Sequence, residues 1–353
     1  VLLNTALPTE EFSASFRTSY ETPEDGGGSV IYQGSVSGGL TDTISAKLAV
    51  YYNDDKGALV NQFDGRDHAA YKQQIVRPVV AWRPSDTFEL IARYEYQDIE
   101  ADGASGQSHT NGQGNPGQPF NADRDSFDFN IDYPGFQTLE VDFFNLTANW
   151  DVAGGTVTNI FGYRDSTATA GSDIDAQPVW IFHSDTYTEY EQISNELRYN
   201  GLFMDDRLNF TGGLFLFESE LAYDENRRLL GLLVPPGLGV PASNQEGGGY
   251  LDVSSIGAFA NVDYDLTDRL TLSAGIRWTQ EEKDARTTNL VLNTTEACYI
   301  GAPNGPSYRV ATNECTPDFI DDDEWSFVSP KVGFMYDLTD SSRVYGSVTQ
   351  GYR

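Results

Sequence analysis

Apolar and polar residues alternate with a period of two through most of the chain. The clearest stretch is residues 256–278, where every second residue from Ile256 to Tyr264 is apolar and most of the others are polar or glycine. The polar turn Asp265–Asp268 follows, and the alternation resumes from Leu270 to Trp278. A period of two over this length predicts a β-hairpin that has one apolar and one polar face.

The same hairpin pattern recurs at residues 331–348, and about thirteen alternating segments can be counted along the chain. Short turns between segments alternate with long loops. The short turns lie near Gly38, Pro84, Val152, Met204, Thr267 and Thr339, and the long loops near Asp25, Gly57, Gly112, Gly171, Gly237 and Gly301. Antiparallel neighbours joined in this way place all short turns at one end of the sheet, which is typical of outer-membrane barrels.

The predicted fold is therefore all-β, an antiparallel up-and-down transmembrane β-barrel. Many segments run for ten residues or more, whereas strands of soluble sheets are usually about five or six residues long. A soluble adhesin-like β-protein remains the alternative fold. The mean hydropathy of −0.42 would by itself suggest a soluble protein, but a barrel strand needs apolar residues only at alternate positions. The sequence lacks the run of about 18 apolar residues that a transmembrane helix requires.

Composition supports this interpretation and excludes one functional class. Twenty Tyr, 20 Phe, five Trp and 34 Gly favour a β-rich chain with many turns. The net charge of −31, from 22 Lys and Arg against 53 Asp and Glu, argues against a nucleic-acid-binding protein. Solvated acidic loops are the preferred explanation of that charge, and recruitment of cations by the acidic surface is the alternative.

One acidic run could bind a hard cation such as Ca²⁺ through carboxylate oxygens. Its spacing does not match an EF-hand loop, so a solvated run is preferred. The run comprises Asp318, Asp321, Asp322, Asp323 and Glu324.

Two cysteines, Cys298 and Cys315, fall in one predicted loop, Glu281 to Glu324. A disulfide between them would stabilise the fold by roughly 3 kcal/mol in the chain-entropy model. Such a bond would also imply an oxidising compartment. Metal ligation by these cysteines is less favoured, because no histidine or further cysteine accompanies them.

Catalytic patterns are missing from the sequence. The three histidines, His68, His109 and His183, lie in or beside predicted loops, without a neighbouring nucleophile. The sequence therefore predicts no enzyme, no metal centre and no cofactor.

Several motifs resemble the barrel of TonB-dependent outer-membrane receptors. They are Ser329–Asp340, Val344–Val348, Gly351–Arg353, Ser194–Arg198 and Gly257–Tyr264. The resemblance implies a 22-stranded barrel, of which this chain would be the central part, plugged by an N-terminal domain. It also implies energised import of a scarce nutrient through the TonB complex, usually a ferric siderophore and sometimes cobalamin or a glycan. A passive porin-like barrel is the alternative function.

The resemblance sets expectations for domains, partners and location. Residues 1–8 would end the plug or connect it to the barrel, and residues 9–353 would be a partial barrel domain. The plug, the TonB box and the closing strands are expected outside this chain. The expected partners are the TonB complex through that missing N-terminal region, the lipid of a Gram-negative outer membrane, and a small-molecule or metal-chelate ligand.

Two groups of residues are candidates for contact with the plug or the ligand. Charged residues on the predicted polar face would line the lumen, although pairing with lumen carboxylates such as Glu89 and Glu95 is the favoured explanation of the cations. These lumen candidates are Arg17, Lys47, Arg93, Arg164, Glu196, Arg198, Arg277 and Lys331. The aromatic residues Trp180, Phe182, Tyr187 and Tyr190 flank one loop, where they could stack on a ligand or sit at the membrane interface.

Overall fold

A computed structural model describes residues 5–22, 27–109, 125–229, 243–292 and 319–351 of the protein. The predicted Cys298–Cys315 disulfide, Asp318 and residues 1–4 lie outside these ranges. Within them, no helix is long and apolar enough to cross a membrane.

The described residues form fifteen β-strands. Their bounds are β1 Ser13–Glu21, β2 Ser29–Gly39, β3 Ile44–Asp55, β4 Leu59–Val60, β5 Asp67–His68, β6 Tyr71–Ser85, β7 Phe88–Ala101, β8 Phe136–Val152, β9 Gly155–Asp173, β10 Phe182–Phe203, β11 Leu208–Leu229, β12 Ser243–Thr267, β13 Leu270–Leu292, β14 Phe319–Thr339 and β15 Ser342–Thr349.

Thirteen of the strands make one antiparallel sheet whose strands pair in chain order, with β3 pairing with β6 and the two end strands having one partner each. The two short strands β4 and β5 pair separately with each other. The predicted up-and-down order and the alternation of short turns with long loops are both confirmed. β1 and β15 are the two edges of the sheet, so within the described residues the barrel is incomplete.

The two faces of the sheet differ as the sequence predicts. On β13, Leu272 and Ile276 are 40% and 53% exposed, and they point away from the face that carries Arg277. Residues paired across a ladder share a face. We call the face of Leu272 and its partners the outer face, and the face of Arg277 the inner face.

The apolar part of the outer face has the length of a membrane span. On β13 it runs from Leu270 to Trp278, and Gln280, Glu282 and Asp284 follow it. A tilted transmembrane strand needs about 9–11 residues. Because strands β9 to β14 contain 19 to 25 residues, they continue well beyond this apolar band at the long-loop end.

Two amide side chains interrupt the apolar band and satisfy each other. Asn159 on β9 and Asn195 on β10 lie on the outer face beside Leu197. Each amide nitrogen donates to the oxygen of the other, at 3.0 and 3.3 Å. Burying an amide in an apolar medium without a partner costs several kcal/mol. The mutual bonds, with a further bond from the Asn159 amide to the carbonyl of Glu196 at 3.2 Å, reduce that cost.

Proline interrupts one ladder without ending its strand. Pro78 lies in the middle of β6 and opposes Leu48 of β3. Towards β7 the ladder pairs stop at Val76 and resume at Val79. Proline has no N–H to donate, which explains the gap. The predicted strand in this region is confirmed and extends to Ser85.

The acidic run was predicted to lie in a loop, and that prediction is wrong. Residues 321–324 belong to β14, while β13 continues to Leu292, so the connection is shorter than predicted. Consecutive strand residues point to opposite faces; Asp321 and Asp323 therefore lie on the inner face, and Asp322 and Glu324 on the outer. The four carboxylates cannot converge on one cation.

We expect a cation on the outer face to destabilise the barrel much more than one on the inner face. Ala274 and Ser273 are neighbours in β13 on opposite faces, and the Ser273 hydroxyl donates to Asp263 at 2.6 Å. Ala274→Arg should lower the free energy of unfolding of the full-length protein in lipid vesicles by about 2–4 kcal/mol. Ser273→Arg, beside Asp263, is the control and should change it by less than about 1 kcal/mol. Equal losses in urea unfolding would contradict the assignment of the faces.

Candidate functional site

All eight charged residues that the sequence proposes for the lumen lie on the inner face. This follows from the ladder pairs, which run from strand to strand across the sheet. The residues are Arg17, Lys47, Arg93, Arg164, Glu196, Arg198, Arg277 and Lys331. Their role towards a plug or a ligand stays a prediction.

Three of these cations are held by neighbouring side chains. Arg198 is 3.2 Å from the carboxylate of Glu196. Arg93 donates to Asn145 at 3.0 Å. The guanidinium of Arg277 lies 5.6 and 5.9 Å from the ring centres of two phenylalanines, Phe215 and Phe259, so cation–π attraction contributes to its position.

The carboxylates expected to pair with these cations are bonded to other arginines. Glu89 accepts from Arg83 at 2.8 Å, and Glu95 pairs with Arg77. Neither arginine is among the lumen residues predicted from the sequence, although the alternation along β6 places Arg77 on the polar face.

Among the seven predicted lumen cations, Arg198 alone pairs with a carboxylate in the described part of the chain. Arg93 and Arg277 have uncharged neighbours, and four others also lack an acidic partner. Among the described residues, none of the four has a carboxylate oxygen within 4.0 Å. They are Arg17, Lys47, Arg164 and Lys331.

The four candidate aromatic residues do not form one surface. Phe182 and Tyr190 lie on the inner face of β10, and Tyr187 lies on the outer face. Trp180 precedes the strand, and its indole N–H donates to the carbonyl of Arg228 at 3.2 Å. These residues therefore cannot stack together on a single ligand.

Segments far apart in the sequence pack together at the long-loop end. We call residues 56–70, 102–109, 125–135 and 174–181 the loop cluster. Its core contains Phe129, Ile131 and Ala176, each at most 6% exposed, with Leu59 packed against them. This small core is separate from the sheet, in a region where the sequence pattern predicts only polar loops.

Buried Asn61 joins two segments of the loop cluster. Its amide nitrogen donates to the carbonyl of Ile131 at 2.9 Å, and its amide oxygen accepts from the Ile131 N–H at 3.1 Å. The N–H of Gln62 donates to the carbonyl of Phe129 at 3.0 Å. The segment 125–135 is thereby bound as though it were a strand.

Glycines allow the backbones of the loop cluster to approach closely. Gly135 has a φ of +65°, and a Cβ there would lie 2.0 Å from the carbonyl oxygen of Gly171. A Cβ at Gly171 would lie 2.4 Å from the hydroxyl of Tyr133. Any side chain at either position would separate segment 125–135 from β9.

The loop cluster assembles two carboxylates and an imidazole against the end of β9 and β10. His183 Nε2 is 3.0 Å from Asp132 Oδ1 and 4.0 Å from Asp173 Oδ2. One ligand atom from each of the three residues lies within 4.8 Å of the other two. The side chain of Asp173 is completely buried and that of His183 is 10% exposed. We call these three residues the Asp–Asp–His site.

Aromatic rings fix the orientation of the imidazole. The ring of His183 stacks on Tyr133, with ring centres 4.7 Å apart, and on Trp180, at 5.9 Å. The hydroxyl of Tyr133 in turn donates to Asp185 at 2.7 Å, and Asp185 pairs with Arg228. The imidazole ring is therefore held in an orientation in which Nε2 points at the two carboxylates.

Burial and mutual repulsion make this site electrostatically costly. Burial, followed by repulsion from Asp175, raises the pKa of Asp173. Burial also raises the pKa of Asp175, although its carboxylate accepts the N–H groups of Phe182 and Ile181 at 2.6 and 3.3 Å. Burial and the hydrogen bond to Asp185 raise the pKa of Tyr133 to about 12.

The sequence pattern predicts no metal centre, and it does not single out the three aspartates near His183. Asp173, Asp175 and His183 are close in sequence, and this spacing was the available signal. Asp132 could not be found in this way, because only the folded loop cluster brings it to the imidazole.

Comparison with known proteins gives one family and many similar folds. The family described as TonB dependent receptor-like, beta-barrel, matches residues 81–353. No curated protein sequence matches the chain.

Solved structures of similar fold include three receptors. The ferric yersiniabactin uptake receptor FyuA from Yersinia pestis is 14% identical with a TM-score of 0.67, over 96% of this chain and 47% of that one. The siderophore receptor PiuA from Acinetobacter baumannii is 15% identical with a TM-score of 0.68, over 97% and 50%. The ferripyoverdine receptor of Pseudomonas aeruginosa is 17% identical with a TM-score of 0.61, over 98% and 43%. The chain thus spans about half the length of these structures.

We expect the Asn61 side chain to hold the loop cluster closed. Asn61→Ala removes both bonds to Ile131 and leaves buried backbone groups unpaired, which costs about 1–3 kcal/mol. Hydrogen exchange of peptides from residues 125–135 should accelerate roughly tenfold or more. Gln62→Ala is the matched control, because its backbone bond to Phe129 is retained and its side chain is exposed. Unchanged exchange in Asn61→Ala would show that other contacts hold the segment.

Proposed function

The chain belongs to the β-barrel family of TonB-dependent receptors, which are outer-membrane proteins of Gram-negative bacteria, and we propose that its full-length protein imports a ferric siderophore. Import would be energised through the TonB complex. The observation that carries this proposal is the set of unpaired cations on the inner face.

Charge is distributed unevenly between the two faces. Within the apolar band, described lysines and arginines lie on the inner face, where they avoid the penalty of about 2–4 kcal/mol for a cation at the lipid midplane. They are Arg17, Lys47, Arg77, Arg93, Arg164, Arg198, Arg277 and Lys331. On a protein with a net charge of −31, this face is a local exception that favours an anionic ligand.

Only some of these cations are free to meet a ligand. Arg77 and Arg198 have carboxylate partners, and their charges are already balanced. Arg164 is exposed, and no carboxylate among the described residues pairs with it. Charge-assisted hydrogen bonds from such a guanidinium to carboxylate or hydroxamate-type oxygens are strong, which suits a negatively charged metal chelate.

The similar structures support the choice of substrate class. The Yersinia and Acinetobacter proteins are described as a ferric yersiniabactin uptake receptor and a siderophore receptor. At 14% and 15% identity they share the fold with this chain, so the siderophore assignment is our extension to it.

We further propose that residues 9–353 form the barrel wall and residues 1–8 connect it to a plug. Supporting this, Pro8 is buried and the Thr9 N–H donates to the hydroxyl of Ser37 at 2.8 Å. The chain therefore contacts the sheet from residue 9, ahead of the first paired residue, Ser13.

Growth assays on ferric siderophores test the proposed function. A strain that lacks the full-length gene should lose growth on at least one ferric siderophore supplied as the sole iron source, and the gene should restore it. Restoration should also require an intact TonB complex. Growth restored equally without TonB would indicate a passive porin. Unimpaired growth of the deletion strain on every siderophore tested would overturn the iron assignment.

Arg164 gives a sharper test of the inner face. We expect Arg164→Gln to raise the concentration of siderophore for half-maximal binding about tenfold, because one charge-assisted hydrogen bond is lost. Arg269→Gln, in the turn between β12 and β13, is the matched control at the opposite end of the strands and should bind as the wild type does. Equal binding by both variants in a titration with the siderophore identified by growth would exclude Arg164 from the ligand site.

A further inference from the structure

We propose that the Asp–Asp–His site binds a divalent transition-metal ion, with Zn²⁺ as the best fit, and that this ion fastens segment 125–135 to the end of β9 and β10. The proposal concerns a resident ion of the loop cluster. It does not depend on which nutrient the receptor imports.

The spacing of the ligand atoms fits a small cation. Zn²⁺ bonds to imidazole nitrogen and carboxylate oxygen are about 2.0–2.2 Å long, which places neighbouring tetrahedral ligands roughly 3.3 Å apart. The separations from His183, 3.0 Å to Asp132 and 4.0 Å to Asp173, bracket this value, and all three ligand atoms lie within 4.8 Å of one another. Small side-chain adjustments would complete the site, and a water molecule can supply the fourth ligand.

The charge of the site also calls for a cation. Asp132, Asp173 and Asp175 surround a single imidazole, and one oxygen of Asp175 is buried without a hydrogen-bond partner. The nearby guanidinium of Arg228 is 2.7 Å from Asp185, which offsets its charge. Buried carboxylates are stable when they are paired or coordinate a metal, and a divalent ion would supply the missing positive charge.

The types of ligand select the metal. Ca²⁺ and Mg²⁺ prefer oxygen ligands alone, whereas imidazole with carboxylates suits Zn²⁺ and related transition metals. The stacking of His183 between Tyr133 and Trp180 holds the ring in place, so little side-chain freedom is lost on binding.

The position of the site explains what the ion would do. Asp132 belongs to segment 125–135, while Asp173 and His183 belong to the ends of two paired strands. The N–H of Asp132 also donates to the carbonyl of Gln177 at 3.2 Å. An ion shared by these residues would therefore crosslink the loop cluster to the barrel wall.

Zinc titration of the full-length protein, purified in detergent and stripped with EDTA, tests the proposal. One Zn²⁺ should bind per molecule, and hydrogen exchange of residues 125–135 should slow at least tenfold on binding. Asp173→Asn and His183→Gln should each weaken binding at least about tenfold, since even outer-shell changes at metal sites cost 10–100-fold. Asp128→Asn, an exposed carboxylate in the same segment, is the matched control and should bind normally.

Several results would overturn the proposal. Equal Zn²⁺ binding by the wild type and His183→Gln would exclude the imidazole as a ligand. Protection by Ca²⁺ equal to that by Zn²⁺ would contradict the selection of a transition metal. Stoichiometric binding without slower exchange in residues 125–135 would exclude the crosslink. The metal-free variants are compared with the metal-free wild type, so that a variant that merely loosens the loops is recognised by its faster exchange before zinc is added. A variant that loses zinc binding but still supports growth on the siderophore would support this proposal. It would also leave the proposed import function intact.

Discussion

Backbone hydrogen bonding in lipid is the constraint on which the rest of this structure depends. The bilayer core offers no water to an unpaired N–H or C=O group, so strands can cross it only as members of a continuous ladder. The sheet meets this demand along its eleven inner strands, each of which is paired on both sides. Once the ladder is fixed, alternate side chains must face lipid or lumen. The separation of aliphatic residues from arginines follows from that geometry.

The sequence predicts the membrane-spanning part of the fold well, because strands between lipid and lumen need apolar residues at every second position. The hairpin from Ile256 to Trp278 shows both faces directly, and its turn is found where predicted. Beyond the apolar band both faces are polar, and the pattern disappears. That is why the sequence predicts a loop for the upper part of β14, with its four consecutive acidic residues. Pro78 shows the opposite case. Proline is unfavourable inside a strand, but β6 stays paired with β3 at this position.

The loop cluster could not be predicted from local pattern at all. Its order comes from contacts between positions such as Asn61 and Ile131, which are 70 residues apart. Two-residue strands like β4 carry no periodicity, and the close approach at Gly135 becomes visible only when Gly171 is placed beside it. For the same reason the approach of Asp132 to His183 was invisible in the sequence. Residues of a binding site drawn from several loops are known only when the loops are folded.

The length of the strands sets how far the protein extends from the membrane surface into the medium outside the cell. A strand of 25 residues such as β12 is about 80 Å long at roughly 3.3 Å per residue, and tilted by about 40° it rises about 60 Å. The apolar band takes up less than half of that height. The loop cluster joins shorter strands, β3 and β6 to β10, which contain 12 to 22 residues, so it stands closer to the lipid than the upper end of β12 does. A molecule arriving from outside meets protein well before it meets the membrane, and its first contacts are made where lipid cannot compete for it.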